Sequence, residues 1–201
     1  MVDDSSPDGT ADLADRAAER DARVAVLRRP TKGGIGPAYI AGFGHALVHG
    51  AELVLEMDAD FSHDPRDVPR LVAAARDADL VLGSRYVPGG GVARWGLLRR
   101  LISRGGCWYA RRVLNVRVRD LTGGFKCFRR VVLETVPLDE VAAAGYVFQV
   151  EVTYRTMLAG FRVVEVPITF TDRVLGESKM HGSIVREAAT RVPRQIGRAH
   201  V

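Results

Sequence analysis

Four short apolar runs each stop abruptly in polar, acidic or glycine-rich residues, and helical spacing follows. That alternation constrains the fold more than any other feature. Residues 24–27 run into Arg28-Arg29-Pro30-Thr31-Lys32-Gly33-Gly34 and then a helical stretch from Pro37 to His49. Residues 53–57 run into Asp58-Ala59-Asp60, after which Asp64 fits an N-cap and Pro65 the first helical position. The apolar face predicted for that helix is Val68, Leu71, Val72 and Ala75. Residues 80–82 run into Gly83-Ser84-Arg85-Tyr86, and residues 161–170 read as a longer strand before Thr171-Asp172-Arg173. The expected fold is therefore α/β, a mainly parallel sheet flanked by helices.

Both ends carry expectations of their own. Val2-Asp3-Asp4-Ser5-Ser6-Pro7-Asp8-Gly9-Thr10 reads as the tail of a strand, its acidic turn and the N-cap of a helix reaching about Asp21. The first strand is expected to be missing through an N-terminal truncation. Ile196-Gly197-Arg198-Ala199-His200-Val201 back-translates to a string resembling a common short-read sequencing adapter, so residues 196–201 are expected to be a non-native tail. That leaves residues 1–195 as one domain, in keeping with about 100–200 residues per domain.

Composition removes several classes. Of 201 residues, 47% are apolar and 26% charged, values that fit neither a disordered nor a collagenous chain. No run approaches the ~20 apolar residues of a membrane span, and the acidic N-terminal thirty residues hold no apolar core of a secretory signal. Basic residues exceed acidic ones, 29 against 24, for a net charge of +5, and nearly all of the basic residues are Arg. Guanidinium groups suit bidentate phosphate recognition, whether on a nucleotide, a nucleic acid or an anionic membrane. Cys107 and Cys127 lack metal-ligand spacing and read as small buried hydrophobes in a reducing compartment.

In an open α/β sheet, ligands gather beyond the carboxyl ends of the strands. Asp3-Asp4, Lys32-Gly33-Gly34, Asp58-Ala59-Asp60 and Gly83-Ser84-Arg85 all fall at such ends. Asp58 and Asp60, two apart, leave the same face and can share a hard cation, Mg²⁺ or Mn²⁺, whose remaining ligands come from a substrate diphosphate. Asp-x-Asp alone is more often a solvated turn or a helix cap. Lys32-Gly33-Gly34-Ile35-Gly36 offers close backbone approach before a helix N-terminus, without the Walker arrangement. Residues 94–119 mix eight Arg with Trp95, Leu97, Leu98, Leu101, Ile102, Trp108 and Tyr109, which fits either an amphipathic helix on anionic headgroups or a core-packed helix with a solvated Arg face. Those aromatics follow a helical pattern rather than forming a stacking platform, so nucleic acid is not the expected partner. His63 reads as a loop or capping residue, and Glu151 as either an orienting acid or a buried structural one.

The order and spacing of these segments resemble the dolichol-phosphate (polyprenol-phosphate) mannosyltransferases of glycosyltransferase family two. The resemblance continues through Trp95, Arg99 and Ser103, then Asp120-Leu121-Thr122-Gly123-Gly124-Phe125, Gly145-Tyr146-Val147-Phe148-Gln149-Val150-Glu151 and Glu165-Val166-Pro167-Ile168-Thr169-Phe170. It ends with Asp172-Arg173-Val174-Leu175-Gly176-Glu177-Ser178-Lys179-Met180. It implies a GT-A fold, a GDP-mannose donor and a polyprenyl or dolichyl monophosphate acceptor. Val2 and Asp4 would then line the nucleoside pocket, with Lys32, Ala59, Asp60, Arg173 and Lys179 also on the donor. Asp58 and Asp60 would hold the metal. Arg85, Arg99 and Ser103 would bind the acceptor phosphate, with Asp60, Arg85 and Arg99 as the catalytic set. Ser62 stands where some members carry Gln. The implied location is the cytoplasmic face of a membrane, with peripheral attachment.

A lipid phosphate is already ionised at neutral pH, so its attack on the anomeric carbon requires no general base, and attack opposite the leaving group inverts the configuration. Two alternatives stay open: a glucosyl- or other glycosyltransferase on the same lipid, and an inactive fragment or non-catalytic lipid-phosphate-binding subunit.

Overall fold

The computed structural model describes residues 1–141 and 146–172, and the chain divides into two compact units, Met1–Ala51 and Glu52–Val201.

The first unit pairs β1 (Val2–Asp3) in parallel with β2 (Leu27–Arg28), and carries helices α1 (Thr10–Arg20) and α2 (Ile35–Val48). The expected strand over residues 24–27 is confined to its last residue and Arg28. The helix expected from Pro37 starts two residues earlier, behind Gly34. That glycine has φ 90° as N-cap, a conformation that side-chain-bearing residues rarely adopt. Asp8 accepts from the Thr10 amide and hydroxyl, steadying the entry to α1, while Gly9 holds the N-cap position.

In the second unit, β3 (Leu53–Glu56), β4 (Leu80–Ser84), β6 (Lys126–Arg129) and β7 (Val163–Pro167) form one sheet in the order β3-β6-β4-β7. β4 and β7 run parallel, and β6 lies antiparallel between β3 and β4. The α/β class stands as expected; β6 was not visible in the apolar pattern, because it begins with a buried lysine. All five residues of β4 are buried, the signature of a strand covered on both faces. A core of Leu71, Ala75, Ala78, Val81, Phe125, Cys127 and Ile168 packs one face of this sheet against α3 (Val68–Ala74), with Val164 and Val166 against it. Asp64 caps a short 3-10 turn (Pro65–Asp67) that leads into α3, its side chain accepting from the Arg66 amide. Val72, expected on the apolar face, is exposed. It lies about 70° around the helix from the Val68, Leu71 and Ala75 stripe, past its edge.

The long strand expected over residues 161–170 breaks in two. Pro167 has no amide to continue the ladder, so the chain leaves β4 there and β8 (Thr169–Thr171) pairs with β5 (Gly91–Ala93) instead. The Ile168 amide donates to the Ser84 carbonyl at the changeover. The amphipathic segment forms α4 (Leu97–Leu114), shorter than residues 94–119; Asn115, at φ 51°, turns the chain out of the helix. Helices α5 (Arg130–Thr135) and α6 (Tyr146–Leu158) complete the described elements. Both cysteines are free and buried, as expected.

Candidate active site

β3, β4 and β7 all point one way in the second unit. Their carboxyl ends therefore share an edge with the start of β6, where Asp58–Ser62, Arg85, Asp120–Phe125 and Ile168–Asp172 converge.

The loop after β3 is fastened at three points. The Asp58 amide donates to Nδ1 of the buried His63 at 3.1 Å, so that nitrogen carries no proton and the neutral ring has its hydrogen on Nε2. Burial holds the His63 pKa below its ordinary value, against the opposing pull of Asp58. The Ser62 amide (3.1 Å) and hydroxyl both donate to Asp60 Oδ1, orienting that carboxylate. The Thr171 amide donates to the Ser62 carbonyl at 3.0 Å and ties the loop to β8. Between these points Phe61 is 89% exposed with φ 62°, a left-handed conformation uncommon for a residue with a side chain.

This geometry fits a hard divalent cation. His63 Nδ1 is committed to a backbone amide, so the donors left are the carboxylate oxygens of Asp58 and Asp60. Among the described residues no group of three or more His, Cys, Asp or Glu is placed to enclose an ion. A cation held by two carboxylates completes its shell with water and ligand phosphate oxygens. Ser62 acts on Asp60 rather than standing beside it as a third ligand.

His63 also joins the acidic loop to a cationic cluster. Its ring stacks on Phe125 at 4.9 Å and meets Phe170 edge-on at 5.2 Å, and the charges of Asp58, Asp60, Arg85 and Asp120 all reach it. Arg85 is buried over the faces of Tyr86, Trp95 and Phe170 at 5.2–5.5 Å. Its Nε and Nη2 donate to the two oxygens of Asp120 at 2.7 Å, and Nη2 also to Thr122 Oγ1 at 2.8 Å. Among the described residues Nη1 donates to none. Burial alone would raise the Asp120 pKa, but Arg85 holds it below the usual carboxylate value, and Asp120 in turn raises that of Arg85. Arg99 lies over the Trp95 ring at 4.2 Å, donates from Nη1 to Asp172 at 2.6 Å, and has a buried Nε with no acceptor among the described residues. Ser103 Oγ accepts from the Tyr86 hydroxyl at 2.6 Å, which sets Ser103 beside the Arg85 side chain's neighbour.

The sequence-predicted Asp58, Ala59, Asp60, Arg85, Arg99 and Ser103 thus belong to one edge of the second unit. Asp120, Tyr86, Thr122 and Phe170 complete it, and sequence reasoning gave them no role. A usable sign was the acid Asp120 just before a glycine pair and a buried aromatic.

In the first unit, Asp4 accepts from the amides of Gly33 (3.1 Å) and Gly34 (2.7 Å) and from Arg29. The glycine-loop amides expected to meet a ligand anion are thus engaged by a carboxylate of the chain itself, as suits the N-terminus of α2. Val2 pairs with Leu27, and Lys32 is exposed beside this turn. Arg173 and Lys179 lie outside the described residues. Glu151 is buried on α6 and accepts from Arg155 Nε at 3.1 Å.

α4 buries Cys107, Ala110 and Leu114, while other apolar side chains face outward: Leu97 is 78%, Leu101 70% and Trp108 63% exposed. Leu101, Trp108, Tyr86, Arg104, Arg111 and Arg119 are among the residues lining a cavity of about 560 Å³ beside this face. No helix among the described residues is long and apolar enough to cross a membrane.

Comparison with known proteins bears on this edge. The family model described as glycosyl transferase family 2 matches residues 1–136. An undecaprenyl-phosphate mannosyltransferase of Micrococcus luteus is 51% identical over 194 residues, 96% of this chain and 80% of that protein. A polyprenol monophosphomannose synthase of Mycolicibacterium smegmatis is 50% identical over 96% of this chain and 73% of its own length. Among solved structures, glucosyl-3-phosphoglycerate synthase of Mycobacterium tuberculosis shares the fold. Its complex with Mg²⁺ and UDP aligns with a TM-score of 0.65 at 18% identity, over all of this chain and 67% of that one. Its complex with Mn²⁺, UDP-glucose and phosphoglyceric acid aligns at 0.63, with the same identity. By the matched family model and by relatives half-identical along nearly its whole length, the chain belongs to glycosyl transferase family 2.

Proposed function

We propose that the chain transfers mannose from GDP-mannose to a polyprenyl monophosphate of the dolichyl or undecaprenyl type, inverting the anomeric configuration at the cytoplasmic face of a membrane. One observation carries this reading: the Asp58/Asp60 loop and the Arg85, Arg99 and Ser103 groups occupy the same sheet edge, bridged by His63 and Phe170. The names of the half-identical relatives support the acceptor and the sugar.

In this reading Asp58 and Asp60 would hold Mg²⁺ or Mn²⁺, which when bound would supply charge stabilisation to the leaving nucleoside diphosphate. Arg99 and Ser103 bind the acceptor phosphate, joined by the Nη1 edge of Arg85, whose other donors Asp120 keeps fixed. Two anions must approach one another, and guanidinium groups held in place before the reaction lower that repulsion. A phosphate oxygen then bonds to the anomeric carbon as the bond from that carbon to the diphosphate oxygen breaks, and GDP leaves. No proton is transferred, so no general base is needed. The prenyl chain leaves along Leu101 and Trp108, where α4 lies on anionic headgroups through its apolar face and its Arg side chains.

The test is donor profiling of the full-length protein with undecaprenyl phosphate, Mg²⁺, and GDP-mannose or UDP-glucose in parallel. The expected result is turnover of GDP-mannose to a β-linked lipid product. Absence of GDP-mannose turnover, or an α-linked product, overturns the reading. Asp58→Ala and Asp60→Ala are each expected to abolish Mg²⁺-dependent GDP binding, measured by calorimetry, while the fold is retained.

A further inference from the structure

Glu165 is not among the groups that reach the proposed substrates, yet it is built into their support. It lies on β7 between Val164 and Val166, both of which pack into the core, so strand alternation puts its side chain on the opposite face of the sheet. From there Oε2 accepts the Arg119 amide at 2.8 Å and Oε1 accepts the Asp120 amide at 2.9 Å. A carboxylate receiving two consecutive backbone amides fixes both the position and the rotation of that peptide segment. The segment it fixes carries Asp120, which receives the Arg85 backbone amide at 2.9 Å as well as Nε and Nη2. Arg85 is pinned by Asp120, and Asp120 by Glu165.

We propose that Glu165 is a positioning residue for the acceptor phosphate: through Asp120 it sets the direction in which the Nη1 edge of Arg85 points. The inference rests on the proposed assignment of Arg85 to that phosphate. One carboxylate serves both amides. Glutamine keeps the size and one acceptor but sets an NH₂ group against the second amide, so Glu165→Gln misaligns the segment without opening a cavity.

The experiment uses the full-length chain and two ligands measured in parallel by calorimetry: farnesyl phosphate as a soluble acceptor probe, and GDP with Mg²⁺. Glu165→Gln is expected to weaken farnesyl phosphate about tenfold, the effect of losing one charge-assisted hydrogen bond, and to leave GDP within about twofold. Glu165→Ala is expected to weaken farnesyl phosphate further in the same direction. The double variant Glu165→Gln/Asp120→Asn is expected to bind farnesyl phosphate no more weakly than Asp120→Asn alone, because both substitutions act through Arg85. Thermal unfolding identifies a variant that is not folded, in which case the milder Glu165→Gln decides. An equal loss for both ligands, an unchanged affinity for farnesyl phosphate, or additive effects in the double variant overturns the positioning role. A wild-type chain that binds no farnesyl phosphate overturns the acceptor reading itself, which separates the two failures.

Discussion

Arg85 and Asp120 form a buried ion pair, and such pairs are costly to break by halves. Asp120→Asn leaves the guanidinium without its counter-charge and is expected to destabilise the fold by about 3 kcal/mol. Arg85→Lys is not conservative here, since an ammonium cannot give two parallel bonds to Asp120. The folded Asp120 has a lowered pKa, so its contribution is complete above the unfolded value of about 3.9 and is lost as pH falls through the lower folded value. The stability gap between wild type and Asp120→Asn should therefore be wide at pH 7 and shrink progressively as pH falls below about 3.9, as read from urea midpoints. Asp58 and Asp60 were legible as a candidate pair because they stand two apart directly after an apolar strand. Asp120 was not, because its meaning comes from Arg85, thirty-five positions earlier in the chain.

Elements were legible where a local rule decides them. Asp64-Pro65 announced a helix start, which the chain makes as a 3-10 turn leading into α3, and the apolar run 80–82 announced β4. The short β6 was hidden because Lys126 is buried in it, interrupting the apolar pattern; its Nζ donates to Gln149 and Thr153 of α6, a partnership made in three dimensions. The ends of α4 were misplaced for a related reason, since Asn115 stops the helix by a left-handed turn that composition does not reveal. The outward Leu97, Leu101 and Trp108 carry a prediction at this scale. Replacing all three with Ser is expected to reduce partitioning onto anionic vesicles at least about tenfold, given ~1.5–3 kcal/mol for full burial of one such side chain. Cosedimentation checks this, and unchanged partitioning would detach α4 from the membrane reading.

For the molecule as a whole, the order β3-β6-β4-β7 was beyond the reach of the sequence, since placing an antiparallel strand between two parallel ones depends on contacts distant along the chain. The α/β class was within reach, because the alternation of runs and helices is local. The surplus of arginine belongs to this scale too. With a net charge of +5, association with anionic vesicles is expected to weaken as NaCl rises from about 0.05 M to 0.5 M, over which the screening length falls from roughly 14 Å to 4 Å. Binding to neutral phosphatidylcholine vesicles should change little over the same range, and equal salt sensitivity on both surfaces would remove the electrostatic part of the proposal.

The break at Pro167 turns one stretch of backbone into a yoke. Before the break it belongs to the main sheet; after it, Thr171 grips the carboxylate-bearing turn and Asp172 grips the guanidinium of α4. Neither working part can shift without tugging the other, so substitutions beyond the break, from Ile168 to Asp172, should disturb nucleotide and lipid recognition in step rather than one at a time.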